Sequence, residues 1–270
     1  MKIAVIIGGW YFPKHLYKNT IKAAAPEGSA LEFFVVTHRD PSEVDISSEM
    51  LPRIVNKNKY DLELYTEITT FKELSHLGYQ VLQAPNVVGD YFFFNQWAEV
   101  YDYSKYDYIV FMHDDNYLLE GFKDIFTDIF RGDLPAYKHD GTRWHPAILD
   151  QFDYIANSPV GTRRTARGSF SIWSRNFIDK LGGEFSMNNV NLTRQDRNFT
   201  PENHLDLAEW NIIGHNLQRF VEDNNFMDTT FRLSEHYRVS KYMIECERGL
   251  VSKEHILKQS IQAGYERYIK

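Results

Sequence analysis

The amino-acid sequence predicts an α/β fold, with a mixed but mostly parallel central sheet flanked by helices. Its first 37 residues alternate strand, helix and strand patterns over Lys2 to Ile7, about Pro13 to Ala25, and Leu31 to Thr37. That alternation marks a right-handed βαβ unit. A second observation is the apolar run Tyr108, Ile109, Val110, Phe111 and Met112, whose β-branched and aromatic content suits a strand covered on both faces. The third is its abrupt end at His113, Asp114 and Asp115. Parallel sheets hold ligands just beyond the carboxyl ends of their strands, so these three side chains would stand at a cleft. Hard divalent cations take oxygen ligands and bridge carboxylates to phosphates, which suits the cluster to a magnesium or manganese diphosphate complex.

Gly8 and Gly9 turn the chain after the first strand, and Pro13 suits the first turn of the helix that follows. Thr37, His38, Arg39 and Asp40 then lie at the carboxyl edge of the second strand, and residues 41–63 are mixed and polar, with no element assigned. Phe71 to Leu77 reads as a helix, Tyr79 to Ala84 as a short strand and Gly89 to Tyr101 as an aromatic-rich helix. After Met112 there is an alternative to a ligand cluster: Asp115 or Asn116 capping a helix from Leu118 to Phe130. Between Phe130 and Arg167, Gly, Pro and Arg are scattered without period, predicting loops and edge strands. Ser169 to Trp173 reads as a strand, Arg175 to Leu181 as a helix closed by Gly182 and Gly183, and Pro201 to Asn224 as a long helix. From Val239 the chain is charged and reads as mostly helical, so residues 1–238 are expected to form one domain with 239–270 as a helical extension packed on it.

At 270 residues the chain can bury a large core. Its 17 Tyr, 19 Phe and 5 Trp supply flat surfaces for bases or sugars, as well as ordinary core. The formal charge of -7 argues against a broad nucleic-acid surface, while Arg163, Arg164, Arg167 and Arg175 could still hold a phosphate. With Cys246 as the single cysteine, no internal disulfide forms, and a reducing compartment is expected. The apolar start is too short for a signal-peptide core, and no run approaches the roughly 20 residues of a membrane span. A soluble cytoplasmic protein is therefore expected, with the Asn191 and Asn198 sequons as chance matches.

In order and spacing, residues 1 to 236 resemble the GT-A-fold glycosyltransferases, especially the family-two type. The resemblance is carried by Ala4 to Trp10, Val35 to Asp40, Asn86 to Gly89 with Asn95, Ile109 to Asp115, Gly168 to Arg175 with Leu181 to Gly183, and Glu202 to Gly214. It implies a GT-A, Rossmann-like sheet and a nucleotide-sugar donor. Gly8, Trp10, His38 and Asp40 would then lie near base and ribose, Asn86 would also bind the donor, and Asp115 would be the metal ligand that ends the family's Asp-x-Asp motif. His113 and Asp114 fall on the first and middle positions of that motif, so this chain has His where the family has an acid. A C-terminal histidine often joins the metal in the family, and His236 stands at that place.

Breaking a sugar to diphosphate bond builds negative charge on the leaving nucleotide, which a Mn2+ or Mg2+ ion can stabilise as a Lewis acid. An inverting transfer also needs a base for the acceptor hydroxyl, and a carboxylate titrating near about 4 is ionised at neutral pH. Glu202 and Asp206, four apart on one helical face, are the candidates, the other reading being acids that favour a helix start through its dipole. Arg163 and Arg167, before Gly168, could clamp the diphosphate or form a solvated basic loop. The expected activity is transfer from a UDP-sugar to a glycan or other hydroxyl-bearing acceptor, with inversion. The alternatives are a non-catalytic protein of the same fold that binds nucleotide sugar or glycan, and a metal-dependent phosphohydrolase built on His113 and Asp114. A nucleotidylyltransferase is disfavoured because Gly8, Gly9, Trp10 and Tyr11 lack a Gly-rich loop bearing Arg and Lys.

Overall fold

A computed structural model describes residues 1–9, 12, 20–37, 70–84, 92–114, 116–131, 154–157, 170–184, 228–231 and 243–245. The first half holds β1 (Lys2–Gly9), β2 (Ala30–Thr37), α1 (Phe71–Leu77), β3 (Gln80–Gln83), α2 (Phe92–Ala98) and β4 (Tyr108–His113). Then follow β5 (Asn116–Leu118), α3 (Ile125–Arg131), β6 (Tyr154–Asn157), β7 (Phe170–Ser174), α4 (Arg175–Lys180), β8 (Asp228–Phe231) and β9 (Met243–Glu245). The α/β expectation holds. Seven strands form one sheet in the order β3-β2-β1-β4-β7-β6-β8. β3, β2, β1 and β4 are mutually parallel, β7 is antiparallel to β4 and β6, and β8 is parallel to β6. Among these seven strands only β7 runs the other way.

β1 lies inside the sheet between β2 and β4, and every residue from Ile3 to Gly9 is buried. Both its faces are covered because side chains alternate. Ile3, Val5, Ile7, Val35, Val110 and Met112 pack on one face with Leu74 of α1 and Ile125 and Phe126 of α3. Ala4, Ile6, Phe34, Ile109 and Phe111 pack on the other with Phe94 and Trp97 of α2 and Phe177 and Ile178 of α4. The second layer is aromatic: Phe111 stacks on Trp173 with centroids 5.5 Å apart, and Trp97 on Tyr101 at 5.7 Å. Such rings bury large areas in fixed geometry, so among the described residues most aromatic side chains are core.

Local chemistry explains the helix ends. Thr70 and Glu73 form a capping box at the start of α1, and Gly78 at φ 104° ends it in the left-handed conformation. Ser174 Oγ accepts from Phe177 N at 3.1 Å to open α4, and Gly182 and Gly183, both at φ 82°, follow its end as expected.

Two expectations are corrected. The helix predicted over Leu118 to Phe130 is instead β5, a 3-10 segment at Glu120–Asp124 and then α3. Phe122, Ile125 and Phe126 do keep a helical spacing into the core, but Leu118 is buried from a strand whose partner, β9, is remote in sequence. The helix expected as far as Ala25 has ended by Ile21, where Ala23 N donates to Thr20 O (2.9 Å) in a turn ahead of Pro26. In the extension expected to be mostly helical, Met243–Glu245 are a strand, and the rest of it lies outside the described residues. The Pro201 to Asn224 helix lies outside the described residues. No described helix is long and apolar enough to cross a membrane.

The amino edge of the sheet is bolted by charge. Asp107 accepts from Lys2 N at 2.8 Å and from the Arg175 guanidinium, whose Nε also donates to Tyr106 O at 3.0 Å. Beside it, Glu32 accepts from Tyr106 OH and pairs with Lys2 Nζ at 2.6 Å. Lys2 and then Tyr106 hold the Glu32 carboxyl below the usual glutamate range, against a partial desolvation that opposes them. A depressed carboxylate stabilises the fold above its unfolded-state pKa, and that contribution is lost as pH falls through its folded value. Glu32→Gln should therefore lower the melting temperature most at neutral pH, where the carboxylate is ionised, and converge with the wild type as pH falls below the ordinary glutamate range, so that the acid limb of the profile is flatter.

Candidate functional site

The carboxyl ends of the parallel strands stop at nearly one level. Register pairs Gln83 with Thr37, Thr37 with Gly9 and Gly8 with His113, and Met112 is level with Phe170 of β7. Asn157 and Phe231 end β6 and β8 on the same rim. The order of the strands thus decides which chain exits become neighbours. Beyond Gln83 the chain goes on to Asn86, beyond Thr37 to His38 and Asp40, beyond Gly9 to Trp10, and beyond Asp114 to Asp115. Because β7 is reversed, the chain leaves this rim at Asn157 and returns to it at Phe170, with Arg163 and Arg167 in between. His236 follows Phe231 by five residues. Trp10, His38, Asp40, Asn86, Asp115, Arg163, Arg167, Glu202, Asp206 and His236 themselves lie outside the described residues.

Of the predicted site residues, Gly8, His113 and Asp114 are described. Gly8 is closed on the α2 side by the ring of Phe93, where an added Cβ would stand 2.7 Å from the ring's Cγ. Glycine at this position lets α2 approach the sheet. His113 is half-buried on that same face, its ring edge-on to Phe111 at 6.1 Å. Asp114 falls on the opposite face of the strand by alternation and is only 1% exposed. Its N–H donates to Gly8 O at 3.0 Å, continuing the β1–β4 ladder by one step.

The Asp114 carboxyl group fills the space a side chain at Gly9 would need: a Cβ there would lie 2.5 Å from Asp114 Cβ and closer still to the carboxyl group. Sequence reasoning named Gly8 and passed over Gly9. The signal was present, because Ile3, Val5, Ile7 and Gly9 share a face with Val110, Met112 and Asp114. Phe93 was also missed, since nothing local indicates which aromatic residue of α2 rests on the glycine. Further along the β1 loop, Phe12 is fully buried at φ 47°, an uncommon conformation for a bulky residue that its burial holds in place. Thr20 and Asn116 are buried too, and Thr20 Oγ1 accepts from Leu118 N at 3.3 Å. The residues flanking Asp115 are therefore anchored to the core.

No group of three His, Cys, Asp or Glu side chains that could hold a metal occurs among the described residues. His113 and Asp114 present to opposite faces, so an ion at this rim would draw on Asp115 and on donors from chain exits beyond the described strands. The donor types at those exits, carboxylates and imidazole, fit a hard or borderline divalent cation.

The close packing of Gly9 and Asp114 yields a stability prediction. Gly9→Ala should destabilise the protein by about 1–3 kcal/mol through overpacking. Combining it with Asp114→Gly, which clears the space, should cost less than the sum of the two single changes in a urea-denaturation cycle.

No protein-family model matches the chain, and no curated protein matches its sequence. Among solved structures it is similar to mannosyltransferase PcManGT from Pyrobaculum calidifontis, in complex with GDP-Man and Mn2+, at 9% identity and TM-score 0.44, covering 87% of this chain and 57% of that one. It is also similar to TarS 1-349 of S. aureus at 11% identity and TM-score 0.41, covering 98% and 72%. A cytidylyltransferase from Leptospira borgpetersenii aligns at 11% identity and TM-score 0.35, covering 86% and 74%. The chain spans 57% of the length of the mannosyltransferase.

Proposed function

We propose that this chain is a metal-dependent glycosyltransferase that takes a sugar from a nucleotide donor, a UDP-sugar, and passes it with inversion to a glycan or other hydroxyl-bearing acceptor. The observation that carries the reading is the common rim of the parallel strands, where Gly9, Thr37 and His113 stand side by side and the chain exits to Trp10, His38, Asp40 and Asp115 begin. That arrangement supports a nucleotide lying across the strand ends.

In this reading Asp115, with His236, holds a Mn2+ or Mg2+ ion. The ion supplies Lewis-acid stabilisation of the charge that builds on the leaving diphosphate. Arg163 and Arg167 bind the phosphate oxygens through charge-assisted hydrogen bonds. Trp10, His38 and Asp40 contact base and ribose, with Asn86, His113 and Asp114 also at the donor and Gly8 at the strand end beside it. Glu202 or Asp206 takes the proton from the acceptor hydroxyl as it attacks the anomeric carbon.

The histidine at position 113, where the family carries an acid, favours a second reading: a protein of this architecture that binds nucleotide sugar without turning it over. The phosphohydrolase reading is weakened by β4. His113 ends a strand and Asp114, the next residue, falls on the opposite face, whereas that site wants neighbouring ligands that converge. Turnover separates the remaining two. A panel of UDP- and GDP-sugars with manganese should show sugar release by the wild-type chain, abolished by chelation, and Asp115→Ala should lower it by about 100-fold or more. Equal turnover by wild type and variant would remove Asp115 from the site, and nucleotide-sugar binding without release would favour the binding protein.

A further inference from the structure

Only Asp114 and Asp115 separate the end of β4 from the start of β5. The upstream side of this pair is fastened by β1, through Asp114 N to Gly8 O and the packing of the carboxyl group on Gly9. The downstream side is fastened differently. β5 takes no place in the seven-stranded sheet, and its ladder partner is β9, more than a hundred residues later in the chain. Asn116 stands opposite Glu245, Tyr117 opposite Ile244 and Leu118 opposite Met243.

The hydrogen-bond pattern names the central rung. Leu118 N donates to Thr20 Oγ1, so its N–H is directed away from Met243. Antiparallel rungs alternate between closely bonded and unbonded pairs, which leaves Tyr117 and Ile244 as the pair that exchanges N–H···O bonds. An isolated two-stranded ladder of this length is marginal in water. It persists here because Leu118 is 2% exposed in the core and Asn116 is fully buried, so β5 is presented as a fixed edge. Among the described strands β9 ladders with β5 alone, so breaking that ladder removes no rung of the main sheet.

We propose that β9 is a positioning element of the site: by pairing with Asn116–Leu118 it holds the downstream side of the Asp114–Asp115 segment and makes the C-terminal chain necessary for divalent-ion and nucleotide binding. This rests on the reading of Asp115 as the metal ligand. The role is mechanical. A carboxylate that must meet an ion loses affinity when the backbone on one side of it is released, because ordering that backbone then opposes binding.

The test is Ile244→Pro in the full chain, which removes the bonded N–H, compared with Ile244→Ala, which keeps it. Hydrogen exchange at Asn116–Leu118, calorimetric titration with UDP and Mn2+, and thermal melting are read together. In Ile244→Pro, exchange at Tyr117 should quicken and Mn2+-dependent UDP affinity fall, each by about tenfold or more, with the melting temperature moving by less than about 4 °C. Ile244→Ala should weaken binding by less than about threefold. Unchanged exchange at Asn116–Leu118 in the proline variant would overturn the proposal, as would quickened exchange with wild-type affinity for UDP and Mn2+. If the wild-type chain itself binds neither UDP nor GDP in the presence of Mn2+, the glycosyltransferase reading fails. The hold of β9 on the segment is then decided by exchange alone, faster exchange supporting it and unchanged exchange overturning it.

Discussion

The parallel pairing of β1 with β4 is the constraint on which the rest of the structure depends. Its register sets Gly8 against His113, and one step further Asp114 N reaches Gly8 O. A slip of one residue would turn every side chain of β4 to the opposite face. Asp114 would then leave Gly9 for the α2 side, where the ring of Phe93 already rests against Gly8. The apolar alternation of β1 and the two glycines at its end therefore act together: one sets the register, and the other accepts what that register brings.

The two edges of the sheet are held together differently. At the amino edge, Asp107, Arg175 and Lys2 tie β1, β4 and the start of α4 together, and Glu32 and Tyr106 extend the tie to β2. These groups are half-exposed, so their worth is modest and sensitive to pH and salt. At the carboxyl edge, the described strand ends are joined mainly by backbone and glycine packing. Ionisable groups at that end follow the strands in the sequence.

Long apolar strands were legible in the sequence because each carries its own signal. β1, β2 and β4 are continuous runs of β-branched and aromatic residues, and α1 and α4 show their caps in Thr70, Glu73, Ser174, Gly182 and Gly183. β5, β8 and β9 were not foreseen. They are three or four residues long and owe their existence to partners far away in the chain, and a short segment has no period to read. The same difference runs through the site. His113 and Asp114 announced themselves by ending an apolar strand, whereas Phe93 and Thr20 matter only for what they touch.

By itself the sequence determined the α/β class, the parallel strands around β1 and the residues that follow their carboxyl ends, because hydrophobic period and turn chemistry are local properties of the chain. Tertiary structure alone decided that β7 runs backwards and brings both ends of the 158–169 segment to the rim. It alone decided that Asp114 packs on Gly9 and that residues 243–245 lie against residues 116–118. Those outcomes depend on which surfaces find each other once the strands are paired, a choice set by non-local packing and register that short-range pattern does not encode.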